Sequence, residues 1–427
     1  MLSNMLDAAA DVIVVGAGPG GSATAHYLAQ AGLKVIVLEK GSFPRDKVCG
    51  DGLTPRSVAE IIRMGVNTDG WIRNYSLVAH GGGRRIEVPW PELNSVPSYG
   101  MARARGDLDH DLAKRAVESG ADLRENMTVT GPIIHERSGR IIGVEARPKG
   151  ADRKAPLLRF RAPVVVDAGG VSARLSTSVG REKIFNRPMG VATRTYFKSP
   201  RADEPIMESH LELWDGEPGK SNLMPGYGWV FPLGDGLVNV GLGSLSSTAK
   251  PTGIEYRKLF DTWMQNVPEE WGFTPENQVG PVRGAALPMA FNRKPHYDNG
   301  LMLVGDVGGM VSPFNGEGIA YAMQSGRMAA DFIAQALARR TLGQQDRVLH
   351  QYSAELKAEL GGYYTLGRIF ASLIERPEIM HLCVHYGLPR PTLMRLVMKL
   401  LSDGYDRRDG DWMDKLITTL TKVVPAA

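Results

Sequence analysis

A run of four β-branched residues, Val12-Ile13-Val14-Val15, breaks off at Gly16-Ala17-Gly18-Pro19-Gly20-Gly21. Such a run predicts a strand covered on both faces, as in parallel sheets. The glycines match G-x-G-x-x-G at Gly16, Gly18 and Gly21, with Pro19 and Gly20 inside the same turn. Ser22 to Gln30 then predicts a helix closed by Gly32, and Lys34-Val35-Ile36-Val37-Leu38 predicts a second buried strand ending at Glu39. Each part has a physical task. Gly16 permits a tight turn, Gly18 lets main chain approach a pyrophosphate, and Gly21 lets helix and strand pack closely. The helix N-terminus offers free N–H groups to phosphate. Glu39, 18 residues after Gly21, is placed to accept the hydroxyls of an adenosine ribose. Strand, glycines, helix, strand and acid in this order predict a dinucleotide site.

At 427 residues the chain is long enough for two domains or one large interrupted one. A net charge of +4, without any Lys/Arg block, argues against a nucleic-acid partner. Two cysteines, Cys49 and Cys383, build neither a disulfide framework nor a metal site and suggest a reducing cytoplasm. The nine histidines fall in no metal-ligand spacing, so no metal is expected. No apolar stretch is long enough to span a bilayer and Met1 to Ala10 lacks a signal-peptide core. The expectation is a cytoplasmic protein that touches a membrane at most peripherally.

From Lys40 to Arg56 the chain is basic and broken by glycine and proline, which predicts a loop over the nucleotide. Arg45 and Lys47 there are phosphate or ribose contacts or plain surface charges. Ser57 to Met64 predicts a helix, Tyr75 to Pro97 a strand-rich excursion, and Arg105 to Val117 a helix with acids in its first turn. Met127 to Ala146 alternates like strands, and Val164-Val165-Val166-Asp167 predicts a third buried strand. Leu301 to Val304 returns to that pattern and leads through Gly305-Asp306 and the loop Val311 to Gly318 into a helix from Ile319. The fold class is therefore α/β, a Rossmann-like dinucleotide-binding domain with an inserted mixed β-sheet substrate domain and a helical C-terminal region. The expected boundaries are 1–185, 186–290, 291–345 and 346–427. Leu393, Leu396, Val397 and Leu400 form a helical stripe with Arg395 and Lys399 off it, which suits a lid with cations toward anionic headgroups or an ordinary helix on its own core. Cys383 is expected to be packing.

Three remote elements, Gly16 to Glu39, Arg105 with Asp109, and Gly305-Asp306 with Pro313 to Gly318, resemble the para-hydroxybenzoate-hydroxylase-like flavoproteins. That resemblance implies FAD, with Arg105 near its middle, Asp306 at the ribityl–pyrophosphate region, and backbone N–H groups after Pro313 (Gly316, Glu317, Gly318, Ile319) facing the isoalloxazine. Over nearly its whole length the chain resembles the geranylgeranyl reductase family, including its menaquinone reductase branch. The residues that carry this are Phe43 to Gly52, Pro225-Gly226-Tyr227-Gly228-Trp229-Val230-Phe231-Pro232 and Gly305-Asp306 to Gly318, with Cys49-Gly50-Asp51-Gly52-Leu53-Thr54-Pro55-Arg56 and Gly226-Tyr227-Gly228-Trp229 carrying the menaquinone reductase branch. The resemblance implies saturation of isolated double bonds in a prenyl chain; a flavin monooxygenase on a small natural product is the alternative. It places Cys49 and Gly50 beside the flavin, with Cys49 holding the alkene or relaying a proton, unless it is only a small buried thiol. Tyr227 and Trp229, two apart, share one face of a strand and form either an aromatic wall at the site, with Tyr227 a second proton donor, or core aromatics. Asp167-Ala168-Gly169-Gly170 stands where hydroxylases carry Asp-Gly, so the electron donor, NAD(P)H or a reduced carrier, stays open, as does the oligomeric state.

Overall fold

The computed structural model describes residues 7–172, 174–246 and 253–427. Its centre is the predicted parallel sheet. Strand β1 (Val12–Val15) leads into helix α1 (Pro19–Gln30) and strand β2 (Val35–Leu38). The helix starts three residues before the expected Ser22, because Pro19 carries the fixed φ and missing N–H that suit a first helical position. Helix α2 (Pro55–Met64) follows, then the hairpin β3 (Ser76–Gly81) and β4 (Arg84–Pro89), helix α3 (Arg105–Glu118), β5 (Asp122–Arg124) and β6 (Val164–Asp167). Then come β7 (Met189–Lys198), β8 (Ile206–His210), β9 (Tyr227–Gly234), β10 (Leu237–Ser246), helix α4 (Tyr256–Met264) and β11 (Gln278–Pro288). The chain returns through β12 (Tyr297–Asp298) and β13 (Leu301–Leu303) and ends in α5 (Ile319–Leu337), α6 (Leu342–Ile374), α7 (Pro377–Leu382), α8 (Pro391–Leu401) and α9 (Trp412–Val423).

The first sheet has the order β12-β13-β6-β1-β2-β5. Its β-branched runs are covered on both faces, as their continuous apolar character requires: Val12, Ile13, Val14, Val165 and Val166 have no exposure. Helix α1 packs on α5 at a point where neither can carry a side chain. A Cβ on Gly326 would lie 2.5 Å from the Gly20 carbonyl oxygen. A four-stranded sheet from 7–9, 127–134, 141–148 and 158–161 stands beside this core.

The second large sheet has the order β11-β7-β10-β9-β8-β3-β4. The excursion hairpin at 76–89 thus belongs to the inserted sheet rather than to the dinucleotide-binding part that surrounds it in sequence. Side chains alternate across this sheet. Ala79, Met207, Trp229 and Phe231 face the dinucleotide-binding part and line the cavity described below, while Val230, Val238 and Val240 pack under α4 against Phe260 and Trp263. Gly228 in the Tyr-Gly-Trp segment follows from that packing, since a Cβ there would sit 2.3 Å from Trp263 Cζ2.

Candidate active site

Two helix N-termini converge on one cavity. Helix α1 begins at Gly18, which offers no side-chain cap, and has no acid in its first turn. Helix α5 begins at Gly318 in the same condition. Each leaves free N–H groups and a positive dipole end directed at whatever the cavity holds. Gly18, Pro19 and Gly20 of the first, and Gly316, Glu317, Gly318 and Ile319 of the second, line it. The nearest atom to a Cβ on Gly18 would be Arg45 Nη2 at 3.8 Å, so this glycine opens onto free space. Gly16 and Gly21 do a different job. A Cβ on Gly21 would lie 1.9 Å from the Gly16 carbonyl oxygen, and Gly16 itself has φ +96° and backs onto Ala168.

Glu39 sits at the end of β2 as expected. Its carboxylate accepts from the Ala17 N–H at 2.9 Å and the Gly41 N–H at 3.0 Å. Arg45 bridges Glu39 (Nε, 3.3 Å) to Asp109 (Nη1, 3.0 Å), and Arg105 holds the same buried Asp109 through Nε and Nη2. Arg45 is thus a bracing residue between the glycine turn and α3. Lys40 is exposed and lies outside the cavity lining. Asp306 pairs with Lys47 at 3.0 Å in the cavity wall; burial would raise its carboxyl, but Lys47, Arg105 and a main-chain N–H together hold it below the usual range. Pro313 is buried beneath α6 at Gly367 rather than lining the cavity. The Glu317 side chain turns toward α2, accepting from the Thr54 and Ser57 hydroxyls at 2.7 Å each, so only its neighbourhood faces the site.

Cys49 lines the same cavity. It is half-buried, with its accessible part facing the cavity. Burial pushes its thiol up, against the pull of the Arg105 guanidinium, so sulfur keeps its proton at neutral pH. The Asp51 N–H lies 3.4 Å from Cys49 Sγ. Asp51 is a residue that sequence reasoning left without a role. It is wholly buried and takes a left-handed φ of +64°, a strained choice for a non-glycine residue. One carboxylate oxygen accepts from the Tyr196 hydroxyl and from Asn239 Nδ2, both at 2.8 Å, while the other has no partner. Burial raises its pKa to about 6, with the two hydrogen bonds pulling the other way. Asn239 also donates to the Cys49 carbonyl at 2.8 Å and accepts from Trp229 Nε1 at 2.8 Å. Arg194 ties the second sheet to this loop through Asp46 and the Lys47 carbonyl.

Trp229 and Tyr227 share one face of β9, 6.1 Å apart, and both line the cavity. The Tyr227 hydroxyl donates to the Asn315 carbonyl at 2.6 Å, and burial raises its pKa to about 12. It therefore clamps the loop before α5 and holds its proton firmly. The cavity, about 760 Å³, continues past this aromatic wall to Met380, Val384, Leu388, Leu393, Met394 and Val397. Cys383, expected to be packing, is instead exposed at this far end. Helix α8 forms part of the wall, but Lys399 does not face outward: it is buried in ion pairs with Asp411 at 2.9 Å and Asp414 at 2.5 Å. Only Arg395 of the two expected cations is exposed.

Two uncapped helix ends and a glycine edge open to the cavity form a donor set that fits the phosphates of a dinucleotide, while Glu39, at the end of β2, lies outside the cavity lining with its carboxylate held by Ala17, Gly41 and Arg45. Residues 9–359 match the family described as FAD binding domain. The menaquinone reductase of Mycolicibacterium smegmatis is 35% identical over 412 residues, covering 96% of this chain and 95% of that one. The digeranylgeranylglycerophospholipid reductase of Methanocella arvoryzae is 32% identical over 82% of this chain and 83% of its own. The chain belongs to the geranylgeranyl reductase family of FAD-dependent oxidoreductases. Among solved folds, a geranylgeranyl bacteriochlorophyll reductase-like protein of Thermoplasma acidophilum superposes with a TM-score of 0.75 at 23% identity, covering 97% of this chain and all of the other. The flavin-dependent brominase Bmp2 superposes at 0.70 with 20% identity and 97% and 98% coverage, so the frame itself is shared with other flavin chemistries.

Within this family frame, Gly18, Pro19, Gly20, Cys49, Gly50, Arg105, Asp306, Tyr227 and Trp229 all line one cavity although they span nearly 300 residues of sequence. Asp51 carried a legible signal, a carboxylate set between two glycines after a cysteine. Tyr196 and Asn239 carried none, because only strand pairing brings them to Asp51. Among the described residues no helix is long and apolar enough to cross a membrane.

Proposed function

We propose that this protein saturates isolated carbon–carbon double bonds in a prenyl chain carried on a quinone or a glycerolipid. The observation that supports this most is the continuity of the cavity: polar and glycine-rich at Gly18 and Asp306, aromatic at Trp229, then apolar through Met394 and Val397. That sequence of surfaces suits a substrate whose reacting part has no polar handle and whose length must be threaded. The names of the curated relatives, which act on menaquinone and on digeranylgeranylglycerophospholipid, agree with it.

When bound, FAD supplies hydride chemistry, replenished by an external donor, NAD(P)H or a reduced carrier. The protein's own part is position and a proton. Tyr227 fixes the loop before α5, Trp229 is fixed by Asn239, and their rings confine an alkene to one plane. Saturation adds a hydride to one alkene carbon and a proton to its neighbour. Cys49, held as the thiol by burial, donates that proton, while the Asp51 main-chain N–H lies 3.4 Å from the sulfur and the Asp51 carboxylate fixes this loop through Tyr196 and Asn239. Leu382, Tyr386 and Leu393 are exposed around the apolar end with Arg390 beside them. We place this rim against an anionic membrane surface, from which the prenyl tail enters.

The test is anaerobic. Chemically reduced holoenzyme is mixed with a panel of prenyl quinones and geranylgeranyl lipids, and products are weighed by mass spectrometry. A gain of two hydrogens is expected. No change anaerobically, together with oxygen uptake and a hydroxylated product in air, would replace this function with a monooxygenase.

A further inference from the structure

We infer that His80, Glu208 and His210 form a binding site for a divalent transition ion of the zinc class, on the face of the second sheet opposite the cavity. The inference is independent of the proposed substrate.

The site arises from strand pairing. β3 and β8 run parallel with His80 directly opposite His210, and Glu208, two residues earlier, projects from the same face. The neighbours of opposite parity, Leu77, Ala79, Met207 and Ser209, line the cavity. His80 and Glu208 are 128 residues apart, so no ligand spacing is visible in the sequence.

The geometry is that of a ligand set. Glu208 Oε2 lies 3.2 Å from His80 Nε2 and 3.7 Å from His210 Nε2, and all three atoms fall within 4.8 Å of one another. Ligands held at zinc's usual bond lengths in a tetrahedron lie about 3.3 Å apart along each edge. These same three atoms are buried and their polar contacts are to one another, with the Glu208 side chain only 2% exposed. Two imidazoles and a carboxylate converging on one buried point are costly to bury unless a proton or a cation is shared between them. Arg85 approaches the other Glu208 oxygen at 3.9 Å, which leaves Oε2 for the histidines.

Imidazole and carboxylate together suit zinc and its first-row neighbours rather than magnesium or calcium. The two rings now stack 4.5 Å apart within 9° of parallel, and His210 rests edge-on against Trp263. A shared ion draws the Nε2 edges together and splays the stack, with most of the turn falling to His80, the more exposed ring at 21%. Turning that ring outward would open the buried ligand atoms to the ion and to water as a fourth ligand. The consequence is mechanical. Among the described residues β3–β8 is the parallel joint at which the excursion hairpin meets the inserted sheet, and an ion there would staple the cavity's outer wall.

Tag-free holoenzyme is stripped with a chelator and titrated with Zn²⁺ alone and Co²⁺ alone, then desalted for metal analysis. One equivalent of retained ion is expected, with visible ligand-field bands for Co²⁺ and a raised thermal midpoint for Zn²⁺. Glu208→Gln and His80→Asn should each abolish retention and bands while the flavin absorbance stays unchanged. His80 is more exposed than Glu208, so its variant remains informative if the Glu208 variant misfolds. No saturable uptake by the native chain, or equal uptake by the folded His80 variant, would overturn the site and leave a proton-sharing triad in its place.

Discussion

Replacing Asp51 by Asn should make the holoenzyme less sensitive to pH, in a direction and by an amount the site specifies. The carboxyl has its pKa raised from 3.8 to about 6, chiefly by burial. The folded state therefore binds this proton more tightly than the unfolded chain does. Its contribution to stability is fully present below about pH 4 and is lost as pH rises through about 6. A shift of about two units corresponds to about 3 kcal/mol. Asn fits the same space. Its carbonyl oxygen can accept from Tyr196 and Asn239 where Oδ2 now does, and its NH₂ falls where Oδ1 has no partner. Other buried acids with raised pKa values, Asp167 and Glu317 among them, are common to both proteins and cancel in the difference. Urea midpoints of both holoenzymes, taken from pH 4 to pH 8, should show Asp51→Asn gaining about 3 kcal/mol relative to the native chain across that window. A difference that stays flat would refute the claim that Asp51 is a strained, proton-holding carboxyl.

Cys49→Ala should lower turnover by about 100-fold while flavin occupancy, read from absorbance, stays full; unchanged turnover would remove the thiol from the mechanism. Gly21→Ala drives a Cβ into the Gly16 carbonyl at 1.9 Å, backbone against backbone, and purified protein should lose its yellow colour. Gly228→Ala overpacks the Trp263 ring and should cost about 1–3 kcal/mol by urea unfolding, with a native-like midpoint arguing against the packing described. Leu393→Asp combined with Tyr386→Asp should reduce flotation with anionic vesicles, and equal partitioning would take the membrane away from the cavity's apolar end.

The sequence made the central sheet legible because its strands are buried on both faces: Val12 to Val14 and Val164 to Val166 are interior, and the glycines between strand and helix have one geometry that suits them all. What it could not show is pairing between remote strands. Residues 76–89 read as an excursion from the dinucleotide-binding part, yet hydrogen bonds from β3 to β8 carry them into the inserted sheet. The same pairing brings His80 to His210, and the pairing of β7, β10 and β9 brings Tyr196, Asn239 and Trp229 around Asp51. Periodicity also left the cations of α8 undecided. Lys399 and Arg395 look alike on a helical wheel, but Asp411 and Asp414 arrive from the next helix and bury one of them. Local sequence therefore reported what each segment buries, while the polar groups that tune the site came from non-local register. That division has a physical cause: burial of a strand depends on its own side chains, whereas a buried carboxyl such as Asp51 is kept by partners that are adjacent only once the sheet has closed.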